Sequence, residues 1–351
     1  MFFKSKKLVA IEIGTSSIKL AEVEVSKNGC KLLAFGITPT PPNSVAGGDI
    51  PSPESAASAI KQVLNETRIK KKNVVTGLSG TSVIVKKITV PKMEKQLIAE
   101  QVRWEAEQYI PFDINEISLA HHVLRSSSGG ADSMDVLLIA AQNQIVSQYM
   151  EAITLAGLQC HVLDVSGFAL ANCFEMNYGV IPGQCVGLLN IGAGTTNFVV
   201  VNGGEVIFTR DIPVGGGTFT TEIQKEMGVT ASEAEALKMS AATGREVPAE
   251  VHSVISASTE SVTEEIRNSF DFFAATSNGL SLGRLFFTGG GSNLPGLIEH
   301  IATSAGVSAE RMDPFVRVRS QAKNMNQNYM AQVRPLAAVV LGLAMRKMGD
   351  S

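Results

Sequence analysis

Ile11-Glu12-Ile13-Gly14-Thr15-Ser16 and Asn190-Ile191-Gly192-Ala193-Gly194-Thr195-Thr196 are the two stretches that decide how this chain folds. Each ends an apolar run on a glycine. Leu8-Val9-Ala10-Ile11-Glu12-Ile13 leads into Gly14, and Cys185 to Asn190 leads into the turn at Gly192. Past the turn the chain returns as a second apolar strand, Ser17 to Val25 in one copy and Asn197 to Val201 in the other, with Val206 to Asp211 as a third strand of the second copy. Strand, glycine turn and strand, met twice and far apart, predict two related halves.

Beyond the first hairpin, Pro39, Pro41, Pro42, Gly47, Gly48, Pro51 and Pro53 make 38–53 a loop. Ala56, Ala59, Ile60, Val63 and Leu64 share one face of a helix at about 55–68, and Val74 to Leu78 is a buried strand. The stretch 83–165 reads as an inserted module. It has a strand at 83–91, a charged helix from Glu94 to Tyr109 with the lone Trp104 on its apolar face, strands at 118–125 and 134–141 across a Ser/Gly turn at 126–130, and a helix at about 144–156. Helices are expected at 166–178, 218–228, 230–243 and 249–279, a strand at 285–288, and a last apolar helix from Arg334 to Lys347.

A chain of 351 residues with 44% hydrophobic composition exceeds the usual span of about 100–200 residues for one domain, so two lobes or more are expected. Net charge −3 offers no basic excess for nucleic acid. Cys30, Cys160, Cys173 and Cys185 form no CxxC pair, so reduced thiols are expected rather than a zinc or redox site. The basic start Met1 to Lys7 resembles the opening of a signal peptide, but Glu12 interrupts the apolar run after it. No apolar stretch reaches the roughly 18 residues of a membrane span.

A phosphate chain needs backbone N–H donors at close approach, and glycine removes the Cβ that would block it. Gly14-Thr15-Ser16-Ser17, with Lys19 beyond it, offers one such turn, and Gly192-Ala193-Gly194-Thr195-Thr196 another. A third cluster, Gly289-Gly290-Gly291-Ser292, ends a strand and gives a flat surface against which a ring can lie. One glycine turn alone is ordinary hairpin chemistry; three together point to a nucleotide. His121 and His122 fall on opposite faces of a strand and lack acidic or Cys partners, His161, His252 and His300 are isolated, and the Ser79-Gly80-Thr81-Ser82 loop has no histidine and acid to activate a serine.

These motifs resemble the actin, Hsp70 and sugar-kinase superfamily: phosphate motifs at 10–19 and 187–197 and an adenosine motif at 286–296. Within it the chain is similar to the branch holding the cell-division protein FtsA and the type IV pilus family PilM, in which an insert stands where 83–165 stands here. Gly215-Gly216-Gly217-Thr218 and Ala234-Glu235-Ala236-Leu237-Lys238 resemble that branch's ribose segment, which implies Gly215, Gly216, Glu235 and Lys238 beside the nucleoside. The resemblance implies an α/β, two-lobed actin-like (ribonuclease H-like) fold. Its first lobe would be 1–82, 166–185 and 334–351, its insert 83–165, its second lobe 186–228 and 281–333, and its helical subdomain 229–280. It also implies ATP or ADP with Mg2+ as ligands, with the metal held through water at Glu12 and Asn190.

Those two positions depart from the superfamily, which commonly has Asp at both. Glu12 keeps the charge on a longer arm, whereas Asn190 loses it and cannot act as a base, so binding with slow hydrolysis or none is expected. The pilus family implies a cytoplasmic scaffold at the inner membrane. Its partner would be the cytoplasmic N-terminal segment of PilN, docked in a groove between the first lobe and the insert. Other pilus platform proteins and self-association also come with the resemblance. An FtsA-like filament former and a small-molecule kinase of the same fold are the competing readings; the latter needs the base that Asn190 does not supply. The charged helix from Glu94 to Gln108 is a candidate docking surface.

Overall fold

The computed structural model of the chain describes residues 8–26, 29–125, 130, 132–277, 279–322 and 325–350. The basic start at 1–7 and most of the turn expected at 126–130 lie outside them. In chain order the first half runs β1 (Val9–Ile13), β2 (Ser17–Ser26), β3 (Gly29–Pro39), α1 (Pro53–Thr67), β4 (Asn73–Leu78), β5 (Val83–Pro91), α2 (Lys95–Tyr109), β6 (Ile117–Val123), β7 (Ser133–Gln142), α3 (Asn143–Leu155), β8 (Gln159–Val165) and α4 (Ser166–Tyr178). Then come β9 (Cys185–Ile191), β10 (Thr196–Asn202), β11 (Glu205–Ile212), α5 (Gly216–Met227), α6 (Ala231–Ala242), α7 (Ala249–Thr276), β12 (Leu282–Thr288), a 3-10 turn at Gly290–Asn293, α8 (Leu297–Ala305), β13 (Ser308–Arg311), β14 (Val318–Ser320), α9 (Gln327–Val333), a 3-10 turn at Arg334–Leu336 and α10 (Ala338–Leu343).

Three sheets result, ordered β14-β3-β2-β1-β4-β8, β11-β10-β9-β12-β13 and β5-β7-β6. The first two share one plan. In each, an opening strand and its two antiparallel successors lie on one side, and two parallel strands extend the sheet on the other. β9 and β10 are buried along nearly their whole length and read as continuous apolar runs, as strands covered on both faces do. The duplication read from the two glycine turns is thus a duplication of whole sheets.

One apolar core joins the halves. Leu170 and Phe174 of α4 and Val340 and Leu341 of α10 share a cluster with Ala10 and Ala21 of one sheet and Leu188, Val199 and Phe286 of the other. α4 and α10 cross so closely that a Cβ built on Gly342 would fall 1.7 Å from the Ala169 carbonyl oxygen. Arg346 ties the end of this segment to β8 by a bidentate pair to Asp164, at 2.6 and 2.8 Å. Cys30, Cys160, Cys173 and Cys185 are free, and burial pushes the Cys30 thiol up to about 11. No helix among the described residues is long and apolar enough to cross a membrane.

The structure departs from the sequence reading in several places. β3 occupies 29–39, where no strand is expected. The insert is shorter than 83–165: β5, α2, β6 and β7 enclose Ile98, Val102, Val136 and Leu138, but α3 packs on α1, and β8 pairs with β4 in the first sheet. Residues placed with the second lobe return to the first, because β14 pairs with β3, and Met325 and Val333 join the shared core. The continuous helix expected from Arg334 to Lys347 is broken. The Pro335 carbonyl, which a helix would engage, instead accepts from Gly289 N–H at 2.7 Å and Thr288 Oγ1 at 3.0 Å.

Candidate functional site

The two glycine turns are the same structure. Gly14 N–H donates to the Ser17 carbonyl at 3.2 Å, and Gly192 N–H to that of Thr195 at 2.9 Å. The residue before each turn faces the returning strand across the hairpin: Glu12 lies opposite Lys19, and Asn190 opposite Asn197. One copy therefore pairs a carboxylate with an ammonium, and the other pairs two amides.

Between the turns lies a cavity of about 380 Å³. A Cβ on Gly194 would stand 2.8 Å from Thr15 Oγ1, so a side chain there would wedge the halves apart. Gly14, Thr15, Ser16, Ser17, Lys19, Gly192, Ala193, Gly194 and Thr195 all line the cavity. Thr196, expected with them, does not: it is fully buried, and its hydroxyl donates to the Val214 carbonyl at 2.8 Å. Gly216, Glu235, Lys238, Gly289, Gly290 and Gly291, which the resemblance implies beside a nucleoside, line the same cavity. Gly215 sits behind the second turn, where a Cβ would meet the Gly192 carbonyl oxygen at 2.5 Å. Ser292 is buried, and its Oγ donates to the Gly289 carbonyl at 2.7 Å, so it shapes the turn from behind.

Lys238 is buried and fully engaged, donating to the Gly216 carbonyl at 2.9 Å, Thr220 Oγ1 at 2.8 Å and Glu235 Oε2 at 2.7 Å. Thr220 is a member that motif reading misses. Met239 and Ala242 also line the cavity, on the α6 face that carries Glu235 and Lys238, so helical spacing could have found them. Pro335, Leu336 and Val339 arrive from the C-terminal segment with no local signal at all. Ser79 and Ser166 stand on the wall as well, without the histidine a nucleophilic serine needs.

Glu12 Oε1 accepts from Lys19 Nζ at 2.5 Å, while its Oε2 is buried without a hydrogen-bond partner among the described residues. An orphaned buried carboxylate oxygen is costly, and Glu12 lines a cavity that also exposes Asn190. Two hard oxygen donors of this kind fit a hydrated divalent cation. Behind Asn190 runs a polar row. Its Nδ2 donates to Asn197 Oδ1 at 2.8 Å, and Asn197 Nδ2 donates to Asp211 Oδ1 at 2.7 Å. Gly80 N–H donates to the other Asp211 oxygen at 2.5 Å. Burial raises the Asp211 pKa above the ordinary carboxylate value, and the two donors oppose that shift.

A second cavity, of about 680 Å³, lies at the insert, between β5 on one side and β11 and the end of α7 on the other. The groove expected from the resemblance lies between the first lobe and the insert; this cavity faces the second half. On α2 of the insert, Leu97 and Trp104 stand 53% and 59% exposed, an unusual display for large apolar side chains.

Two sheets of one plan, closing a cleft with a glycine turn from each, define the two-lobed actin-like fold. Residues 10–348 match the family model of type IV pilus assembly protein PilM, and the chain belongs to that family. The solved PilM–PilN type IV pilus biogenesis complex superposes with a TM-score of 0.87 at 34% identity, over 97% of this chain and 98% of that one. Cell division protein FtsA of Escherichia coli (strain K12) is 23% identical over 261 residues, which is 67% of this chain and 60% of FtsA; the match spans less than two thirds of that relative. MreB 5 of Spiroplasma citri, solved bound to AMPPNP, shares the fold at a TM-score of 0.50 and 12% identity, over 97% of this chain and 95% of that one.

Proposed function

We propose that this chain is an ATP-holding scaffold of the type IV pilus machinery at the cytoplasmic face of the inner membrane, docking the cytoplasmic N-terminal segment of PilN. The observation that carries the reading is the whole-chain likeness to a PilM solved in complex with PilN. Phosphates would lie on the N–H groups of the turns at Gly14–Ser17 and Gly192–Thr195. The nucleoside would lie against Gly216, Glu235, Lys238 and Gly289 to Gly291. Glu12 and Asn190 would hold Mg2+ through its water shell, and the ion would supply charge neutralisation on the phosphates.

Scaffolding rather than turnover accords with the chemistry at hand. Asn190 takes up no proton, and Glu12, the carboxylate on the wall beside the turns, is engaged by Lys19. The exposed apolar residues of the insert, Leu97 and Trp104, offer the docking side.

Two measurements test the reading. Protein purified without added nucleotide and then denatured should release ATP or ADP into the supernatant, or bind added ATP in a titration. A peptide of the partner's cytoplasmic tail should blue-shift the emission of Trp104, the only tryptophan. A peptide that fails to bind both with and without ATP sinks the scaffold assignment.

A further inference from the structure

The direction of the polar row behind the second turn is set at its far end. Asn190, Asn197 and Asp211 stand directly abreast on β9, β10 and β11. A carboxyl group that accepts on both oxygens obliges its neighbours to donate, and a backbone N–H cannot turn round. Asp211 takes Gly80 N–H on one oxygen and the Asn197 amide nitrogen on the other. Asn197 must therefore turn its oxygen toward Asn190, and Asn190 must spend its nitrogen on that oxygen. What Asn190 then presents to the cleft is its carbonyl oxygen.

We infer that Asp211 is a positioning residue for the nucleotide's metal. By setting the direction of the row, it makes the neutral Asn190 offer an acceptor to the hydration shell of a cation. This rests on the nucleotide reading above and deepens it, for it explains how a cleft lacking the second acidic residue still addresses a divalent ion. A reversed row would aim an NH2 group at the ion's water, which has hydrogens to give and needs acceptors. Glu12, whose Oε2 is buried and unpartnered among the described residues on the same cleft, is the other acceptor. A row that only stapled three strands together would be indifferent to its direction.

Asp211→Asn is isosteric and lets the row reverse with every partner kept. The new carbonyl oxygen takes Gly80 N–H, the new amide donates to Asn197, Asn197 donates to Asn190, and Asn190 turns its nitrogen to the cleft. ATP affinity in Mg2+ should fall about tenfold, while affinity in EDTA should stay at the native value. Asn190→Asp alone sets two acceptors against each other at Asn197 and should lower the melting temperature of the nucleotide-free protein. Adding Asp211→Asn to it rebuilds a satisfied row with the carboxylate at the cleft, and should restore both melting temperature and Mg2+-dependent affinity. The inference is overturned if Asp211→Asn keeps the native ratio of affinities with and without Mg2+, or if the double variant melts no higher than Asn190→Asp alone. A native protein that binds no nucleotide in either condition overturns the nucleotide reading itself, and this role with it.

Discussion

Gly192→Val is expected to weaken ATP binding by about a hundredfold or more, and Gly14→Val to do the same from the opposite wall. A Cβ on Gly192 would stand 2.8 Å from the Thr195 carbonyl oxygen, and one on Gly14 would stand 3.0 Å from that of Ser17. Both oxygens belong to the hydrogen bonds that close the turns. A branched side chain must therefore either open the turn or lean into the cavity, and both displace the N–H groups that would meet phosphate. The flanking strands β9 and β10 are buried nearly throughout, so the turn cannot escape by moving as a body. Hydrogen bonds to a charged group contribute about 1.5–3 kcal/mol each, and losing two of them amounts to two orders of magnitude or more. Titration with a fluorescent ATP analogue, alongside a melting curve to show that the variants fold, decides the matter. Native affinity in both folded variants would place the phosphates somewhere else.

The largest effect on stability is expected from a single methyl group. In an ordinary helix, glycine to alanine gains about 1 kcal/mol. At Gly342 the added Cβ would lie 1.7 Å from the Ala169 carbonyl oxygen and 2.5 Å from its carbon. These are backbone atoms, so no rotamer change relieves the overlap, and α10 must back away from α4. Both helices lie in the core shared by the two sheets, so that retreat loosens Leu170, Phe174, Val340 and Leu341 together. Gly342→Ala should cost about 3 kcal/mol or more and lower the melting temperature by roughly 4 °C or more, or leave the protein insoluble. An unchanged melting temperature would mean that the two helices do not cross as closely as described.

How much of the fold is legible in the sequence depends on the range of the forces involved. The turns at Gly14 and Gly192 are readable because a tight hairpin in a buried sheet leaves both a glycine and flanking apolar runs. β3 is not, because its buried positions do not alternate cleanly and Gly36 interrupts it. The insert's far boundary is misread because α3 and β8 carry ordinary local periodicity. Only the pairing of Gln159–Val165 with β4 assigns them to the first sheet. At the C-terminus, Val339 to Leu343 read as helix, but the hydrogen bonds that Pro335 accepts from the 288–289 turn are contacts across nearly fifty residues of chain. Within the site, Glu235 and Lys238 come from a motif, whereas Thr220, which completes their network, lies one helix away. Asn197 stands opposite Asn190 across a tight turn and is within reach of register arithmetic. Asp211 requires the register of a second hairpin, which shifts between Val200 and Val201.

The charged residues described on the cleft wall are Glu12, Lys19, Glu235 and Lys238, and they are already paired with one another, Lys19 to Glu12 and Lys238 to Glu235. The cavity therefore carries no surplus positive charge toward a polyphosphate. Attraction falls to peptide dipoles, whose field dies within a few ångströms, rather than to a funnel of net charge reaching out about a Debye length, roughly 8–10 Å in ordinary salt. A ligand must find this cleft by collision and shape, and raising the ionic strength should leave its association rate nearly untouched. Entry is then left without electrostatic steering, and affinity has to come from the contacts the molecule makes once it is inside.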